Sequence, residues 1–156
     1  MPMLGLTACE DADAVQPVLV AGEDLFSVGY SYGGGMDGGT DSISLTRDGR
    51  GALLEWSRQE TWDAREKKGR ARLDAAAFDE FERIALEYDL RAASERPDSE
   101  FLALDAPTSS VTFAYVDEDG EMDVDGMFTV SSTQDLEKRQ TEGFRTAIDA
   151  LKALVR

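Results

Sequence analysis

Strict alternation of apolar and small polar residues constrains this chain most. Phe26, Val28, Tyr30 and Tyr32 are separated by Ser27, Gly29 and Ser31, Ile43 and Leu45 resume the pattern, and Ala52, Leu54 and Trp56 repeat it beyond Asp48-Gly49. Successive side chains of a strand point to opposite faces, so a period of two calls for a sheet that is apolar on one side. Asp-Gly between two such runs specifies a tight hairpin. Arg70 to Leu73 read as a further strand, and Val111, Phe113 and Tyr115 alternate again. A second hairpin turn is expected at Asp119-Gly120, with Met122, Val124, Phe128 and Val130 on the return strand.

Two segments change period. Phe78, Phe81, Ile84, Ala85 and Tyr88 recur at intervals of three and four, which predicts a helix from a cap at Asp74 to about Tyr88. Phe144, Ile148, Leu151 and Val155 define a last helix, and the spacing of Ser132 to Asp135 places its start near Ser132 as a capping box. Between the helices, 91–107 contain Pro97 and Pro107 and no sustained period, so a long loop is expected, with Phe101 to Leu104 tacked to the core. The order strands, helix, hairpin, helix predicts an α+β fold: a single antiparallel sheet with two helices packed on one face.

The single cysteine, Cys9, rules out an intramolecular disulfide and a multi-cysteine metal site, so a core must hold the domain. Leu6-Thr7-Ala8-Cys9 has the form of a lipobox, whose cysteine receives a diacylglycerol. Only Met1 to Gly5 precede it, shorter than a signal core of about 7 to 15 residues, and no Lys or Arg occurs before Arg47. Residues 1–9 are therefore read as the remnant of a lipoprotein signal, 10–24 as an acidic tether in which Val18-Leu19-Val20 could dock as an edge strand, and 25–156 as one domain. The 156 residues suffice for one core. A formal charge of -16 repels polyanions and argues against nucleic acid as a partner.

Histidine is absent, which removes the usual general base near neutral pH and the commonest transition-metal ligand. No catalytic motif is recognisable, so an enzyme is disfavoured and no cofactor is expected. Gly33, Gly35 and Gly38 match G-x-G-x-x-G but lead into a strand pattern rather than a helix, so they read as a flexible connection with Met36 at an exposed tip. Tyr30, Tyr32 and Met36 form the candidate partner-binding loop. Asp117, Asp119, Asp123 and Asp125 are candidate weak calcium ligands, although Met122 stands where an EF-hand loop needs glycine. Arg65, Lys67, Lys68, Arg70 and Arg72 read as the solvated face of a half-buried strand.

Three segments carry a resemblance: the lipobox Leu6 to Cys9, the Tyr/Ser/Gly-rich run Phe26 to Met36, and the helix Ala77 to Leu90. With the hairpins and final helix around them, this layout resembles a family of uncharacterised bacterial lipoproteins over most of the chain. Arg91-Ala92-Ala93 and Gly126-Met127-Phe128 stand where that family carries a Trp and a Gly-aromatic-Pro segment. The resemblance implies architecture and location, and no site residues. The reading is a lipid-anchored envelope protein outside the cytoplasm that binds a protein or cell-wall polymer, with an exposed apolar patch on the uncovered sheet face. The alternatives are an envelope hydrolase using paired carboxylates, or a cytoplasmic acidic interaction domain.

Overall fold

The computed structural model describes residues 24–100, 106–117 and 121–155, those at 122–125 by backbone alone. Six strands, β1 (Asp24–Gly33), β2 (Thr40–Asp48), β3 (Gly51–Gln59), β4 (Lys67–Asp74), β5 (Thr108–Val116) and β6 (Met122–Ser131), form one sheet in the order β4-β3-β2-β1-β5-β6. Every neighbouring pair is antiparallel. Helices α1 (Ala77–Glu87), α2 (Leu90–Ala93) and α3 (Lys138–Leu154) complete the α+β fold.

The alternation sets which residues go inward. Cross-strand register aligns Val28 with Leu45 and Phe113, and Tyr30 with Ile43 and Val111; Leu54, Phe128 and Val130 continue these rows. All are buried, in one cluster with Phe78, Phe81 and Ile84 of α1, Leu90 and Ala93 of α2, and Phe144, Ala147 and Leu151 of α3. Phe113 and Phe128 stack with ring centres 5.1 Å apart. Phe26 departs from its expected inward place. The register against β5 slips between Leu25 and Ser27, so Phe26 is the extra residue of a bulge and Leu25 takes the buried position. Beside the bulge, Arg47 Nε donates to the Leu25 carbonyl at 2.6 Å while its guanidinium lies 4.6 Å from the Phe78 ring centre.

The helices begin later than their sequence signals. Asp74 Oδ1 does accept from a backbone amide, that of Ala76 at 2.9 Å, but this closes the turn preceding α1. The expected capping box at Ser132 does not form. Helix α3 starts at Lys138, and the Gln140 side chain accepts from the Glu137 amide at 3.0 Å. Residues 131–136 instead fasten the long connection after α2. Gln134 Nε2 donates to the carbonyls of Ala93, Ser94 and Arg96 at 3.2, 2.9 and 3.0 Å, and its Oε1 accepts from the Ser131 amide at 2.8 Å. The connection is thus no plain loop: it holds α2 and an isolated bridge between Asp98 and Gln134. The expected Val18 to Val20 strand, the Phe101 to Leu104 contact and the Asp119-Gly120 turn lie outside the described residues. Among those described, no helix is long and apolar enough to cross a membrane.

Gly143 sets the approach of α3 to the end of α1: a Cβ there would lie 2.3 Å from Tyr88 Cβ. Gly143→Ala gains helix propensity yet must force the helices apart, so a net loss of about 1 to 3 kcal/mol in urea unfolding is expected. Burial raises the Glu82 carboxyl above its ordinary value; Arg47 opposes the rise, and Asp79 and Asp24 add to it. The folded state therefore holds this proton more tightly than the unfolded chain, and the charge costs stability at neutral pH. Glu82→Gln is expected to raise the thermal midpoint at pH 7 by under about 1 kcal/mol equivalent, solvent screening limiting the effect. The gain should shrink as pH falls through the raised folded value and vanish below the unfolded value of about 4.3.

Candidate functional site

The β1–β2 and β3–β4 connections leave the sheet at the same end, because Thr40 opposite Gln59 brings both loops side by side. Their glycines fit them together. Gly38, at φ +73°, has Trp62 Cβ 2.5 Å from where its own Cβ would sit, and the corresponding point at Gly39 is 2.6 Å from the Glu60 carbonyl. The Trp62 amide donates to the Asp37 carbonyl and the Gly39 amide to Asp37 Oδ1, both at 2.9 Å. Gln59 Nε2 donates to the Trp62 and Ala64 carbonyls at 2.9 and 2.8 Å. The glycine run expected to be a flexible connection is thus a hydrogen-bonded turn docked on its neighbour. It leads into β2 and not into a helix, which deprives the G-x-G-x-x-G spacing of the amides a pyrophosphate would need.

What these loops hold out is apolar. Met36 is 83 % exposed and Trp62 75 % exposed, although both Trp62 backbone groups are pinned. Below them a cleft opens toward the C-terminal end of α3, in two spaces of about 320 and 250 Å³ that share Asp41, Arg58, Glu60 and Lys152. Tyr30 and Tyr32 line the first space, Trp56 and Lys67 the second. Arg58 Nη2 pairs with Asp41 Oδ2 at 3.4 Å, and Asp41 keeps only 14 % of its side chain exposed. Lys152 Nζ lies 5.4 Å from the centre of the Tyr30 ring. Burial foremost, then the Asp41 charge, raise the Tyr30 phenol above its ordinary value, and a hydrogen bond with Ser109 opposes the rise. This tyrosine stays protonated at neutral pH and serves as a buried wall.

The three residues of the candidate loop therefore divide. Tyr30 is a core side chain, Tyr32 is half-buried on the cleft wall, and Met36 stands free at the tip. The sequence alone does not single out Trp62, because nothing local in it indicates that a glycine turn from another hairpin will buttress it. The acidic hairpin is less completely placed. Asp117 Oδ1 accepts from the Glu121 amide at 3.0 Å. Asp123 and Asp125 occupy alternate backbone positions of β6, and Asp119 and Cys9 lie outside the described residues. No group of three His, Cys, Asp or Glu side chains suited to a metal occurs among the described residues. The raised carboxyl, Glu82, faces Arg47 and Asp24 at the opposite end of the sheet from the cleft, so it makes no acid pair with Asp41 or Glu60.

Gly38→Ala is expected to lower the urea midpoint, with about 1 to 2 kcal/mol from the left-handed backbone alone and more from the collision with Trp62. The same substitution at Gly49, also at positive φ but with open space around it, should cost the backbone share only. No protein-family model and no curated protein matches this sequence.

Proposed function

We propose that this chain is a binding module of the bacterial cell envelope, carried outside the cytoplasm on a lipid at Cys9, which engages a protein partner through Met36 and Trp62. One observation carries the reading: two large apolar side chains are held out from loops whose backbone is fixed by Asp37, Gln59 and two glycines. Exposed apolar side chains on pre-ordered loops favour association because little ordering entropy remains to be lost on binding. Trp and Met are also enriched where protein interfaces bury their centres. The cleft beneath adds charges of both signs, Asp41 and Glu60 against Arg58, Lys67 and Lys152, which can orient a partner's polar rim.

Two measurements test the reading. Mass spectrometry of the chain from its native host should find a lipidated Cys9 at the mature N-terminus; a free thiol there would remove the envelope location. A photo-crosslinking residue at position 36 should trap one discrete protein in living cells, and Trp62→Ala should abolish that adduct while the thermal midpoint stays put. Absence of a discrete adduct would reject the protein-binding role whatever the state of Cys9.

A further inference from the structure

The sheet face opposite the core has a different chemistry from the one expected of it. In place of an apolar patch it presents hydroxyls in cross-strand register. One row crosses all six strands as Ser131, Ser110, Ser31, Ser42, Ser57 and Lys68. A parallel row runs Thr129, Thr112, Gly29, Ser44, Glu55 and Arg70. Where these rows reach β2, β3 and β4 the face sinks into a cavity of about 490 Å³. That volume falls within the range of small-ligand sites, roughly 300 to 1,000 Å³.

The cavity lining fixes what can enter. Ser42 and Ser57 share a hydrogen bond of 3.0 Å, Arg70 pairs with Glu55 at 3.5 Å, and Lys68 completes the wall. The lining thus combines hydroxyls that both donate and accept, a carboxylate, a guanidinium and an ammonium group, the groups that match a ring carrying several hydroxyls of its own. A protein interface is a poorer fit, because its buried centre is depleted in serine. A polyanion is disfavoured by the charge of -16 and by Glu55 in the wall.

We infer that this cavity binds a sugar unit of a neutral polysaccharide, and that the serine row extends the site along the chain. Neighbouring strands stand about 4.8 Å apart, so the row offers a hydroxyl at close to the advance per residue of an extended β-1,4-linked glycan. The site lies on another face from Met36 and Trp62, and it does not rest on the protein-binding role proposed for them.

The test is calorimetric titration of the full chain with β-1,4-linked hexasaccharides of glucose and of N-acetylglucosamine. Saturable binding of at least one hexasaccharide is expected, at least about tenfold tighter than its disaccharide because several hydroxyls of the row are engaged. The double variant Ser42→Val/Ser57→Val should weaken it by about tenfold or more through loss of two hydrogen-bonding groups, whereas Asp149→Asn on α3 should leave it unchanged. Arg70→Ala is the second probe if the double variant fails to fold, and it should weaken binding in the same sense. The proposal is overturned if neither hexasaccharide binds, if binding survives both sets of changes, or if only an acidic polymer such as polygalacturonate is retained.

Discussion

The pairing of β1 with β5 is the constraint on which the other parts depend. Strands β1 to β4 follow one another as a simple meander, each beside the last, and leave the chain at the β4 edge with one side of β1 still unpaired. The register from Gly33 opposite Thr108 to Asp24 opposite Val116 fills that side. To reach it the chain must cross the sheet and also travel from the end marked by Asp74 to the end marked by Thr108. Helix α1, at 1.5 Å per residue for 11 residues, supplies about 16 Å of that path. The remainder falls to α2 and the connection that Gln134 fastens to the end of β6. The crossing segment thereby contributes to the core, with Phe78, Phe81 and Ile84 in one buried cluster with Val28, Leu45 and Leu54.

A sheet used in this way has two unlike faces. One is sealed by large apolar side chains; the other carries serine, threonine and glycine, which antiparallel strands can show to water without cost. The edges are managed separately. Strand β4 ends the sheet with Lys67, Lys68, Arg70 and Arg72, and Arg70 and Arg72 reach back to Glu55 and Asp48 on β3 and beside its turn. Charge along an edge discourages a second sheet from adding to it. Of these cations, Lys68 and Arg70 stand in the hydroxyl rows and give one end of that face its polarity, while the two most exposed large apolar side chains among the described residues are Met36 and Trp62 at the loop end.

Where the sequence was legible, one local rule governed the outcome. Alternation in Tyr30, Ile43, Leu45, Leu54, Val111 and Phe113 reported burial on one face, and the three-four spacing of Phe78, Phe81 and Ile84 reported a helix, because each residue's fate there depends on its neighbours in the chain. The errors arose where distant segments compete for the same groups. Ser132 resembles a helix cap, yet its hydroxyl accepts from the Ser109 amide at 2.9 Å and the helix starts six residues on. Phe26 obeys the alternation and is displaced by a bulge that only the β5 register reveals. In the candidate site, Met36 and Tyr32 were legible as loop and strand residues, whereas the support of Trp62 by Gly38 joins two hairpins and leaves no mark on either one alone. The hydroxyl face was present in the sequence as Ser27, Ser31, Ser42 and Ser44; its alignment into rows exists only once register is fixed.

The position of β1 also decides the order in which a growing chain can become stable. Strands β1 to β4 can zip up through neighbouring hairpins as they emerge, but the inner side of β1 keeps a full row of unpaired amides and carbonyls until the second half of the chain has been made. Contacts between distant segments form slowly because a long loop must close before they repay its entropy. An early meander of this kind is a half-sheet with an open apolar face and two open edges, the sort of species that associates with copies of itself. Cooperative stability therefore arrives late, with β5, and a ribosome-bound or truncated chain that ends before Thr108 depends on something other than its own sheet to stay apart from its neighbours.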